Sequence, residues 1–86
     1  MHADIGLREV LSQILAQMGW AFQESHARRV DGGFQADITL FLSTNIEKIY
    51  GETLPGLSLA TESALIFALD HVDRFWGVDI INVFHG

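Results

Sequence analysis

The chain has 86 residues, no cysteine and 49% apolar residues: enough for one domain with one core, and incompatible with disulfides or thiolate metal sites. Eleven acidic against five basic residues give a net charge of −6, which excludes the cationic footprint that nucleic-acid binding needs and fits solubility or a basic protein partner. The longest unbroken apolar run, Ala64 to Leu69, is far short of the ~18–20 residues that cross a bilayer, and no basic and apolar leader opens the chain, so we expect a cytoplasmic protein with no membrane partner.

Along the chain, Leu7, Val10, Leu11, Ile14 and Met18 recur with helical spacing, and the pattern predicts an amphipathic helix over 4–18. Asp4 is placed to cap it and Gly19 to stop it. Residues 20–42 read as a β-hairpin whose turn is Asp31-Gly32-Gly33, since these residues accept the positive φ of tight turns. The second strand alternates, with Phe34, Ala36, Ile38, Leu40 and Leu42 on one face and Gln35, Asp37, Thr39 and Phe41 on the other. Thr44-Asn45-Ile46-Glu47 matches a capping box and predicts a short helix over 45–50, ended by Gly51. Gly51, Pro55 and Gly56 mark a loop, and Ser58 or Thr61 is placed to cap a helix that runs to Trp76. Val78 to Phe84 reads as a last strand, apolar on both faces. The expected architecture is a single α+β domain over 1–86 in the order α-β-β-(α)-α-β. Two main helices would pack on a small three-stranded mixed sheet made of the hairpin and the C-terminal strand.

The segment from Leu57-Ser58-Leu59 through Leu69, followed by 77–80, resembles the second helix of acyl and peptidyl carrier proteins. In those, an aspartate precedes the serine that bears the prosthetic group; here Leu57 precedes Ser58, and a β-hairpin is foreign to that all-helical family. No cofactor is therefore expected.

Two constellations could carry chemistry. Asp70-His71-Val72-Asp73-Arg74 sets two carboxylates on one helical face beside an imidazole, with Asp70 and Arg74 spaced for an ion pair. It matches no metal signature, and no metal site is expected. A pocket built from Trp20, His26, Asp37, His71 and Trp76 would be the seat of a small-ligand site or an enzyme.

The apolar residues that fall outside the core pattern are the most informative. In the last helix Ala64, Leu65, Ala68, Leu69, Val72, Phe75 and Trp76 form the core stripe, which leaves Ile66 and Phe67 at or beyond its edge, while Phe41 lies on the polar face of its strand. So small a chain has a marginal core of its own and gains from partner subunits. The expectation is a non-enzymatic binding module, homo-oligomeric through Ile66, Phe67 and Phe41, of the type found among mobile-element and phage accessory proteins. An acidic inhibitor of a basic protein and a small ligand-binding protein are the alternatives.

Overall fold

The protein is described from a computed structural model, which places residues 6–76. Helix α1 (Leu7–Gln17) is followed by strands β1 (Ala21–Glu24), β2 (Arg28–Val30), β3 (Gly33–Gln35), β4 (Asp37–Phe41) and β5 (Ile46–Tyr50), and then by helix α2 (Leu57–Trp76). The class is α+β: two helices, a three-stranded sheet in the order β1-β4-β5, and the two-stranded ladder β2-β3. The expected strand over 78–84 lies outside the described residues, as does Asp4.

Helix α1 occupies Leu7–Gln17 of the expected 4–18, with extended Gly6 rather than Asp4 at its N-cap, and buries Val10, Leu11, Ile14 and Leu15. Its end is a Schellman motif, which needs a left-handed residue just past the helix. Gly19, at φ +75°, supplies that conformation. Its N–H donates to the Ala16 carbonyl at 3.1 Å, and the N–H of Trp20 donates to the Leu15 carbonyl at 2.8 Å. The motif satisfies two terminal carbonyls and turns the chain directly into β1.

The expected hairpin over 20–42 is present but broken in the middle. Residues 31–32 make a two-residue turn, with Val30 opposite Gly33. Beyond the β2–β3 ladder the register slips: between the pairs Arg28–Gln35 and Glu24–Ile38, three residues (25–27) on one strand oppose two (36–37) on the other. One extra residue in one strand is a β-bulge, which bends a hairpin and raises its twist. The bulge separates the β1–β4 ladder from the β2–β3 ladder, whose strand β3 also packs against α2. The inward face of the second strand follows the alternation, with Ala36, Ile38 and Leu40 buried and Phe41 exposed, but Asp37 on the opposite face is buried as well.

The short helix over 45–50 is instead the strand β5, antiparallel to β4 from Asp37–Tyr50 to Phe41–Ile46. The capping groups act locally instead. Asn45 donates to the Glu47 carboxylate at 3.1 Å, and Leu42 N–H donates to the Asn45 carbonyl at 2.9 Å, closing a hairpin turn. Pairing five residues of backbone with β4 outweighs one capping interaction, worth about 1 kcal/mol. The sheet is therefore antiparallel throughout its described strands rather than mixed, and its third strand is β5.

Helix α2 begins at Leu57, one residue before Ser58 and four before Thr61, so neither expected cap precedes it. The Ala60 N–H donates to Gly56, and the Thr61 hydroxyl donates back to the Leu57 carbonyl at 3.1 Å, inside the helix. Ala60, Ala64, Leu65, Ala68, Leu69 and Val72 are buried. Both helices pack on the same face of the sheet, which also carries Phe22, Ile38, Leu40 and Ile49. Small residues let α2 come close: a side-chain carbon on Gly51, at the end of β5, would lie 2.5 Å from the Ala64 nitrogen.

Candidate functional site

Cross-strand partners share a face, so the register assigns every residue of the sheet to the helix side or the outer side. The outer side carries the rows Ala21–Phe41–Ile46 and Gln23–Thr39–Lys48, and then Asp37 beside Tyr50. No described helix covers this side, and its buried residue is Asp37, at the end beside Arg28 of β2. Phe41 is 37% exposed and Ile46 66% exposed, and Tyr50 is exposed as well. An antiparallel sheet with one solvated side normally shows polar residues there. Here two of the three rows hold large apolar or aromatic side chains.

The outer side is also cationic relative to the rest of the molecule. Lys48 stands in its middle row and forms no ion pair with another described residue. Arg28, paired with Gln35 across the β2–β3 ladder, reaches toward Asp37, Nη2 to Oδ2 at 3.9 Å. Asp37 is only 5% exposed, so the one strand acid on this side is largely covered.

A second apolar surface lies on α2, in the helix layer. Ile66 is 49% exposed and Phe67 38%, with Leu59 exposed one helical repeat before Ile66. Around Ile66 stand Glu62, Asp70 and Asp73, all exposed. Arg74 Nε donates to Asp70 at 3.2 Å, so the one base of this flank is engaged by an acid of the same flank. The three residues expected to mark an interface thus fall on opposite sides of a two-layer molecule: Phe41 on the outer sheet side, Ile66 and Phe67 on the helix layer.

The five residues expected to share a pocket are dispersed. Trp20 sits at the entry of β1 with its indole N–H on the Ser43 hydroxyl at 2.8 Å. His26 is in the bulge beyond the far end of β1, and Asp37 is close by, accepting the Ser25 N–H through its carbonyl. His71, on α2, meets Glu47 of β5, Nε2 to Oε1 at 2.5 Å. The side chain of Trp76 lies outside the described residues. An open groove of about 840 Å³ runs between the two helix starts and the bulge, lined among others by Leu7, Arg8, Glu24, His26, Thr61 and Leu65. It takes in His26 but not Trp20, Asp37 or His71. Arg8 closes part of it by a two-pronged pair with Glu24, one prong at 2.9 Å, and that hydrogen bond pushes the guanidinium further above its already high value.

The Glu47–His71 pair joins α2 to β5. The hydrogen bond from His71 holds the Glu47 carboxyl below its ordinary value; burial works against this and the Asn45 amide assists it. Asp70 and Asp73 point away from this pair, into the exposed flank. No group of three metal-ligating side chains occurs among the described residues, and none of their helices is long and apolar enough to cross a membrane.

Sequence reasoning missed Ile46, Lys48 and Tyr50, because it placed them on a helix. The signal was present as the period-two run Ile46, Lys48, Tyr50 against Glu47 and Ile49, with β-branched and aromatic residues that favour strands. Compared with known proteins, the chain matches no family model, no curated protein and no solved structure.

Proposed function

We propose that this chain is a non-enzymatic binding module that works as a homo-oligomer. The observation that carries this reading is the bare apolar surface on both layers: Phe41, Ile46 and Tyr50 on the sheet, Ile66 and Phe67 on α2. Single exposed apolar residues are ordinary, but grouped ones mark contact surfaces. Burying one large aliphatic side chain contributes about 1.5–3 kcal/mol, so a handful of them supports an association. Arg8 and Glu24 in the groove are paired with each other, and the closest His–carboxylate pair among the described residues, Glu47–His71, joins two structural elements.

The test is mass in solution together with the substitution Ile66→Asp. The wild-type chain is expected to exceed its 9.6 kDa monomer mass by light scattering at micromolar concentration. Ile66→Asp places an unpaired charge in the contact and is expected to return a folded 9.6 kDa monomer. A wild-type monomer at every concentration defeats the reading.

A further inference from the structure

Resting on that oligomeric reading, we propose that the two bare surfaces are the two halves of one heterologous contact, in which the outer sheet side of one copy docks on the α2 flank of the next. The surfaces lie on opposite sides of a two-layer molecule, whose broad extents of 40 × 39 Å against a thickness of 18 Å leave ample room on each for the roughly 800 Å² per partner that a stable interface uses.

The sheet side offers Lys48 beside Ile46, Phe41 and Tyr50, while Arg28 and the covered strand acid Asp37 pair with each other. The α2 flank offers Glu62 and Asp73 around Ile66, while Asp70 and the one base, Arg74, pair with each other. Sheet against sheet would bring Lys48 of two copies together with no exposed strand acid to meet it. Flank against flank would bring together Glu62 and Asp73 from each copy. Sheet against flank sets apolar residues on apolar residues and Lys48 on acids, the complementarity that fixes register and suppresses the other pairings.

The consequence is specific. A contact between unlike surfaces leaves each pair with one surface of each kind still open, so assembly continues to a closed ring or an open filament rather than stopping at a two-fold dimer.

The experiment blocks each half separately. Ile46→Asp disables the sheet side and Ile66→Asp the α2 flank; both sites are exposed, and circular dichroism checks that each variant is folded. Should either fail to fold, Tyr50→Glu and Phe67→Glu replace them. Alone, each variant is expected to run as a 9.6 kDa monomer in native mass spectrometry, and an equimolar mixture as a one-to-one pair of twice that mass and nothing larger. If either variant alone keeps the wild-type mass, or if the mixture stays monomeric, the heterologous contact is overturned while the oligomeric reading stands. A monomeric wild-type chain removes both.

Discussion

The two helices lie on the same sheet and use their apolar residues in opposite ways. Helix α1 turns its large side chains inward: Val10, Leu11, Ile14 and Leu15 are buried, and the residues between them are mostly polar. Helix α2 turns many of its small ones inward, with Ala60, Ser63, Ala64 and Ala68 buried alongside Leu65, Leu69 and Val72, and shows Leu57, Leu59, Ile66 and Phe67 to solvent. Close backbone approach, not side-chain volume, seats α2 against β5. Apolar content alone therefore does not reveal which helix holds the monomer together. The helix with the greater number of apolar residues is the one with side chains to spare.

The contrast can be broken most sharply by equal truncations. Ile14→Ala removes a fully buried side chain and is expected to cost about 2–5 kcal/mol, a fall of roughly 10 °C or more in Tm for a domain of this size. Ile66→Ala, measured on the dissociated chain, is expected to stay within about 0.5 kcal/mol of wild type. Equal losses in thermal melts would erase the distinction. Next in size, Gly51→Ala tests whether α2 is held by approach. The added methyl would lie 2.5 Å from Ala64 N and 2.8 Å from Ala64 Cα, so backbone must move, at a cost of about 1–3 kcal/mol by denaturant unfolding.

A smaller effect comes from the Glu47–His71 tie. Glu47 has its folded pKa lowered from the ordinary 4.5, so its contribution is present above that value and is lost as pH falls through the lowered one. Glu47→Gln should therefore be less stable than wild type at pH 7, and the gap should close in urea titrations taken well below pH 4. A gap that persists in acid would show that the carboxylate charge is not what ties α2 to β5. Smallest of all is Arg74→Ala. It removes an exposed i,i+4 pair on the solvent side of α2 and should change stability by no more than about 0.5 kcal/mol.

What could be read from the residues follows the same division. The body of helix α1, its stop at Gly19, the hairpin turn within Asp31-Gly32-Gly33 and the inward face of β4 all depend on local spacing and stand where that spacing puts them, whereas the two-residue length of the turn is set by the strand pairing. Strand β5 does not. Thr44 to Glu47 carries a valid local helix signal, and only pairing with β4 decides against it. The bulge at 25–27 is invisible for the same reason, since it exists only as a difference between two ladders. The candidate surface was half legible: Ile66, Phe67 and Phe41 were found as misfits within correctly placed elements. Ile46, Lys48 and Tyr50 were lost with β5, and with them the charge of the sheet side.

The loop from Gly51 to Gly56 joins β5 to α2 and contains no regular element of its own, yet it is stitched on both sides. Gly51 N–H donates to Ala36 and its carbonyl accepts from the Gln35 amide; Glu52 N–H donates to the Ser63 hydroxyl; Leu54 exchanges both backbone hydrogen bonds with Phe34, at 2.7 and 2.9 Å. Connecting segments are ordinarily where a protein accepts inserted sequence. This one is a spliced joint, and lengthening it by even a residue would pull apart the hairpin and the helix together. A reporter peptide or an affinity tag placed inside the chain belongs between Thr44 and Asn45, where the turn is exposed.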